Sequence, residues 1–284
     1  MITPEPESTV SETARQNASH PASHVATTGA ASRRHRSLRC FTSGATLAVG
    51  LLTILPVRAP DPDERGLGRS AAWFPLVGAF LGAAAGGVRV LAQPLGALPA
   101  TGLALATMIA VTGALHQDGL ADTADGIGAR GDRARRLAAM RDHAIGAFGV
   151  LALLWWGILM LTMLASFTDA RALRVLIVAG AVSRMAAVLH AAHTGPARPD
   201  GLGAAFDVDA PTTAITVGVT AAVVIGTAGA LNGGTALAVA LLVAMVWTAW
   251  ARRALGGRTG DTLGATIAVS EIATCAALLA LSRG

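Results

Sequence analysis

The chain has no lysine and no tyrosine, only two cysteines, and little charge of either sign: Asp, Glu, Lys and Arg make up 14% of its 284 residues. Soluble domains carry about 25% charged residues, so a water-soluble globular protein is excluded. Without lysine, the net charge of +5 rests on arginine alone. The joint lack of lysine and tyrosine, beside abundant Ala and Gly, reads as compositional bias and not as a demand of function. Cys40 lies at the edge of the first apolar segment and Cys275 inside the last, and neither belongs to a CxxC pair. That excludes a zinc site built on such pairs and a disulfide framework. The apolar runs are continuous and do not alternate, which argues against a membrane β-barrel.

What the chain does have is hydrophobic length. It is 53% hydrophobic with a mean hydropathy of +0.56. Eight apolar segments lie near 41–57, 72–92, 98–116, 147–167, 173–192, 212–231, 235–251 and 262–282, and several approach the roughly 20 residues that cross a bilayer. The pattern predicts an all-α fold, a polytopic helical bundle integral to the membrane. Residues 1–39, rich in Ser, Thr, Ala, His and Arg, read as a disordered cytoplasmic tail that ends in Arg33, Arg34, Arg36 and Arg39. The apolar stretch begins too far from the N-terminus for a signal peptide. Residues 40–284 read as a single membrane-embedded domain.

Charge sets the expected topology. If all eight segments crossed from a cytoplasmic N-terminus, Arg130, Arg133, Arg135, Arg136 and Arg141 would lie outside, against the positive-inside tendency. The conflict disappears if 41–57 is re-entrant or interfacial. It is short, carries Thr42, Ser43, Thr46 and Thr53, and reaches Pro56 near its end. About seven spans remain, with the N-terminus inside and the C-terminus outside. The connections 58–71, 117–145, 193–211 and 252–261 then face the cytoplasm. Because the arginines cluster beside spans, orientation in lipid explains the basic balance and no nucleic-acid partner is expected.

On that expected cytoplasmic side lies HQDGLADTADGIG, His116–Gly128. Asp118, Asp122 and Asp125 are spaced i, i+4, i+7, and share one helical face if the apolar helix continues through them. Three acids on one face repel unless a cation sits among them. The plain reading is a solvated face balanced by the arginines that follow. The sharper reading is a divalent metal site, since magnesium takes one or two carboxylates plus phosphate oxygens, and Asp142 could complete a two-ion clamp. In MRDHAIGAFG (140–149), Arg141 beside Asp142 suits diphosphate recognition, while Gly146 and Gly149 suit packing. GGRTGDTLGA (256–265) lacks the GK[ST] of a Walker A loop. Its amides stand at a span's N-terminus, where phosphate binds.

Within the spans, Glu271 and the pair Ser183–Arg184 are polar residues that mark either function or a structural ion pair, each with the other. Arg89 is placed to snorkel. Gly78, Gly82 and Gly86 form a helix-packing ladder. His190 and His193 read as ordinary interfacial histidines.

Taken together, HQDGLADTADG (116–126), MRDHAIGAFGV (140–150) and GGRTGDTLGA followed by Glu271 resemble the cobalamin synthase family, the adenosylcobinamide-GDP ribazoletransferases. Weaker echoes are LLTILPV (51–57), AAWFPLVGAFLG (71–82) and Ser183–Arg184, and the resemblance covers about 41–282. The chain departs from the family at Gln117, where an apolar residue is usual, and at Arg141 and His143, where Lys and Ser are.

The resemblance implies a multi-pass enzyme of the bacterial inner membrane, its active site facing the cytoplasm. It would join adenosylcobinamide-GDP to α-ribazole, or to the 5′-phosphate, and release GMP with the help of Mg²⁺. Asp118, Asp122, Asp125 and Asp142 would hold the metal, and one of these or Asp261 would accept the hydroxyl proton. His116, Arg141, Arg184, Thr259, Gly260 and Glu271 would meet substrate. The resemblance leaves room for a homo-oligomer, or for association with other enzymes of the cobalamin pathway. Two other readings are a CDP-alcohol phosphatidyltransferase and a divalent-cation transporter. The first lacks its Ala-Arg pair and second DxxxD acid here. The second calls for acids near the bilayer midplane, where only Glu271 lies.

Overall fold

The computed structural model describes residues 43–58 and 66–283. The predicted tail, Cys40, Thr42, Asp61, Asp63 and Glu64 lie outside the described residues. Inside them the regular structure is helical, apart from one isolated parallel bridge between Pro196 and Arg258. In chain order the helices are α1 (Ser43–Leu52), α2 (Gly66–Ser70), α3 (Phe74–Leu91), α4 (Ala97–Thr112) and α5 (Leu115–Gly128). There follow α6 (Arg133–Ala139), α7 (Ala147–Ala165), α8 (Asp169–Ala192), α9 (Leu202–Ala205), α10 (Ala210–Leu255) and α11 (Gly260–Arg283).

Five helices are long and apolar enough to cross a membrane: Gly66–Leu91, which joins α2 to α3 through a 3₁₀ turn, and α7, α8, α10 and α11. The ten described residues of α1 span about 15 Å, half the hydrocarbon thickness. As one straight rod the 46 residues of α10 would run about 70 Å. Instead the backbone leaves helical geometry at Gly229 (φ +79°) and doubles back. A Cβ at Gly233 would stand 2.9 Å from the Val224 carbonyl oxygen, a contact between residues that a straight helix holds far apart. The reversal falls between the sequence-predicted segments 212–231 and 235–251.

The apolar helix of 98–116 does not continue through the acids. It stops at Gly113 and Ala114, both in the left-handed region (φ +61° and +59°), and the chain bends by 87° into α5. Asp118, Asp122 and Asp125 do share one helix, but it is a separate helix of 14 residues. Three acids in that length make it too polar to be a span by itself.

Lipid, not water, surrounds the spans, so apolar side chains mark the outside and small or polar ones the inside. The α7 window is 22% buried, against 78% for α8, which places α8 at the centre and α7 at the rim. On α7, Leu151, Trp155 and Ile158 are exposed. The packing ladder meets α8 as predicted: a Cβ on Gly78 would lie 2.1 Å from the Gly180 carbonyl oxygen, and one on Gly82 the same distance from that of Leu176.

Arg89 does not snorkel. It is 1% exposed, pairs with Asp169, and donates to Thr101 Oγ1 at 3.1 Å and the Phe167 carbonyl at 2.9 Å. Here an arginine ties the end of α3 to the start of α4 and to the α7–α8 connection.

Substitution at the ladder separates packing from propensity. Gly78→Ala is expected to cost about 1–3 kcal/mol through overpacking against backbone. Gly87→Ala, with nothing within 4 Å of the added carbon, is expected to be neutral or to stabilise by up to about 1 kcal/mol. Thermal unfolding in detergent measures both.

Candidate active site

The site starts from a close crossing. α5 lies across the beginning of α11 with glycine on both sides. A Cβ on Gly119 would sit 2.8 Å from the Asp261 carbonyl oxygen, and one on Gly264 3.4 Å from the Gly119 Cα. This contact brings Asp118 and Asp122 beside Asp261. The mutual field is felt at Asp122, whose carboxyl is pushed up to about 6 by partial burial and by the charges of Asp118, Asp261 and Asp125.

A cavity of about 400 Å³ opens over this crossing. Asp118, Asp261, Arg198, Arg141, Asp200 and Thr259 line its polar side, and Leu51, Leu52, Phe74, Phe206, Leu263 and Ile267 its apolar side. The rings of Phe74 and Phe206 stack with centroids 5.2 Å apart. Arg198 Nη2 donates to Asp261 Oδ2 at 2.9 Å, and Arg141 donates to both oxygens of Asp200 at 2.6 and 2.7 Å.

The segment after α8 is pinned in place by Arg258. Its guanidinium donates to the carbonyls of Ala191, Thr194, Gly203 and Phe206, while its backbone forms the bridge to Gly195 and Ala197. The start of α11 closes with a reciprocal capping box. Thr262 N–H donates to Thr259 Oγ1 at 3.1 Å and Thr259 N–H to Thr262 Oγ1 at 2.9 Å, which leaves the Gly260 and Asp261 amides for another acceptor.

The remaining predicted residues stand elsewhere. Asp125 accepts from the amides of Gly146 and Gly149 at 2.7 and 2.9 Å, so it caps α7 while its charge still reaches Asp122. Asp142 is exposed, accepts from the Ala144 amide, and does not line the cavity. Arg184 and Glu271 form a buried ion pair, 0% and 1% exposed, inside the bundle and away from the lining. Arg184 Nη2 lies 3.3 Å from His116 Nδ1. A guanidinium can only donate, so Nδ1 accepts and the imidazole carries its proton on Nε2, an atom buried without a partner. His116 does line the cavity, and is therefore the link between the buried pair and the site. His190 is not interfacial. Fully buried, it bridges Thr248 Oγ1 and Thr262 Oγ1 at 2.9 and 3.1 Å.

Sequence reasoning did not single out Arg198, Asp200 or Arg258 as site residues. Arg198 and Asp200 sit in GPARPDG, a connection between spans whose charges flank a proline, and that was the available signal. Arg258 lies within the Gly-rich motif but its four carbonyl partners come from residues 191–206, which spacing does not reveal.

The donor chemistry fits a hard divalent cation such as Mg²⁺, which prefers carboxylates and phosphate oxygens. Among the described residues no three Asp, Glu, His or Cys side chains stand close enough to hold a metal ion as they are. Magnesium needs only one or two carboxylates when phosphate supplies the rest. One or two carboxylates from among Asp118, Asp122 and Asp261 therefore suit an ion that is completed by a phosphate ligand.

The fold and site together define a polytopic helical membrane protein with a carboxylate and arginine cavity at one end of the bundle. The chain belongs to the CobS family, cobalamin-5-phosphate synthase, whose pattern it matches over residues 44–279. It is 38% identical to an adenosylcobinamide-GDP ribazoletransferase of Sinorhizobium medicae over 85% of this chain and 97% of that one. The protein of the same name from Stutzerimonas stutzeri is 39% identical over 83% and 96% of the two chains. That of Klebsiella pneumoniae is 40% identical over 74% and 87%. No solved structure matches the chain.

The buried pair gives a test of the frame. Arg184→Met or Glu271→Leu alone is expected to cost about 3–5 kcal/mol, because either strands a buried charge, while the double variant costs much less. Unfolding in detergent completes the cycle, and strict additivity would contradict the pairing.

Proposed function

We propose that this chain carries out the reaction named in its relatives, moving the adenosylcobinamide-phosphate moiety of adenosylcobinamide-GDP onto α-ribazole or its 5′-phosphate. A ribazole hydroxyl attacks the phosphorus nearer the cobinamide. The bridging P–O bond breaks, GMP leaves with that oxygen, and the hydroxyl proton passes to a carboxylate. The observation that carries this reading is the cavity over the α5–α11 crossing, whose acid and arginine side faces an apolar side. The polar side suits a diphosphate. The apolar side, formed by Leu52, Phe74, Leu263 and Ile267 among others, suits the flat base of ribazole.

Catalysis of such a transfer is positioning and charge neutralisation. One or two carboxylates from among Asp118, Asp122 and Asp261 would hold Mg²⁺, which when bound supplies positive charge against the diphosphate. Arg141 and Arg198 would orient phosphate oxygens with paired N–H donors. The amides of Gly260 and Asp261 would add a helix N-terminus. One of the three carboxylates takes the proton. Asp125 keeps α5 fixed to α7. Glu271, bound to Arg184 inside the bundle, is not available as a transit ligand, which weighs against the cation-transporter reading. The arginines of α6 and of the segments beside the cavity support a cytoplasmic orientation, in a bacterial inner membrane.

Membranes carrying the protein, given adenosylcobinamide-GDP, α-ribazole and Mg²⁺, are expected to yield cobalamin and GMP, and EDTA to stop both. Asp118→Asn, Asp122→Asn and Asp261→Asn should each lower turnover by about 100-fold or more. Asp142→Asn should stay within a few-fold of the parent. Turnover that persists in EDTA, or a collapse in Asp142→Asn alone, would contradict this assignment. Ile267→Trp, which fills the apolar side, is expected to raise KM for ribazole by roughly tenfold and leave KM for adenosylcobinamide-GDP unchanged.

A further inference from the structure

The arginines around the cavity are almost all committed to backbone or to acids outside the cluster. Arg258 serves four carbonyls and Arg136 the carbonyls of Gly126 and Ile127 at the end of α5. Arg133 serves the carbonyl of Ala197, and Arg141 serves Asp200. Arg198 is different. Its guanidinium stands on Asp261, one of the three acids, with Nη2 2.9 Å from Oδ2. Both members of the pair line the cavity, and their side chains are 17% and 24% exposed. Water and ligand can reach them.

We infer that Arg198 is a stand-in cation. In the unliganded cavity it balances Asp261, and it passes to a phosphate oxygen of the diphosphate when the carboxylates take a divalent ion. The inference rests on the metal-assisted reading of the site. Its physical basis is that a guanidinium carries a permanent charge and forks onto carboxylate and phosphate alike. A pair still reached by water is weak enough to exchange, unlike the fully buried Arg184–Glu271 pair. Acids gathered without a cation would repel, and Arg198 relieves that cost at Asp261 while no ligand is present. Two consequences follow. A divalent ion alone must compete with Arg198 and binds weakly. When diphosphate arrives with the ion, Arg198 gains a new partner as it loses the old one, so metal and substrate favour each other's binding. Arg198 thus acts as a positioning and binding residue that couples the two.

The test uses the full chain in lipid nanodiscs and Mn²⁺ alone, with the free ion followed by its paramagnetic resonance signal. Arg198→Ala is expected to bind Mn²⁺ about tenfold tighter than the parent, because its competitor is gone. Arg198→Lys keeps the charge and is expected to stay within about threefold of the parent. In turnover, both variants are expected to show a raised KM for adenosylcobinamide-GDP. Mn²⁺ affinity that is unchanged or weaker in Arg198→Ala would overturn the inference and leave Arg198 as support for its segment. Equal tightening in Arg198→Lys would overturn it too. Should Arg198→Ala fail to fold, Arg198→Gln takes its place with the same expectation. A parent protein that binds no Mn²⁺ and turns over in EDTA would remove the metal-assisted reading itself. A parent that binds Mn²⁺ while Arg198→Ala binds it no tighter would remove only the exchange.

Discussion

The site depends on how closely two helices approach. α5 crosses α11 with no side chain between them, because Gly119 faces the Asp261 carbonyl and Gly264 faces the Gly119 Cα. Two conditions make that crossing attainable. The chain must turn through 87° between α4 and α5, which the left-handed residues Gly113 and Ala114 provide. The far end of α5 must also be held, which Asp125 does by capping α7 and Arg136 by binding the last carbonyls of α5. Asp118, Asp122 and Asp261 come together as a result, although one of them lies more than a hundred residues away in sequence.

Buried charge forms the rest of the frame. In a lipid-embedded bundle an unpaired charge is costly and a paired one fixes geometry. Arg89 at one end, Arg184 with Glu271 and His116 in the middle, and Arg258 beneath the cavity each join three or more segments. Each is nearly or fully buried. Of the pairs around the cavity, Arg198–Asp261 is partly exposed and Arg141–Asp200 is exposed on both sides. The pair sealed inside the bundle holds the frame, while the pairs at the cavity are the ones that solvent reaches.

Much of this was legible in the sequence, for physical reasons. Segment length and hydropathy gave the spans, since lipid demands both. The Gly78, Gly82, Gly86 ladder gave its contact with α8, and the lone mid-span charges Arg184 and Glu271 had few partners other than each other. The acids of HQDGLADTADG announced themselves by repulsion that needs an explanation. What stayed hidden was set by backbone conformation and by long-range contact. Nothing in periodicity shows that Ala114 adopts a left-handed φ, so the bend between α4 and α5 leaves no mark in the sequence. Asp142 looked equivalent to Asp125, yet it faces outward while Asp125 caps a helix. Arg89 and His190 read as interfacial because burial by distant segments leaves no local mark. Arg198 was passed over inside a connection for the same reason.

The most direct measurement of the central claim is the rate of GMP release by Gly119→Val, with helix content and thermal stability followed in parallel. The added branched side chain would meet the Asp261 backbone and force α5 away from α11. A displacement of about 1 Å at a reacting centre lowers turnover by roughly 100-fold, so a loss of that size is predicted while the bundle stays helical. Parental turnover in a folded Gly119→Val protein would contradict the account, because the acids would then act without the close crossing said to assemble them.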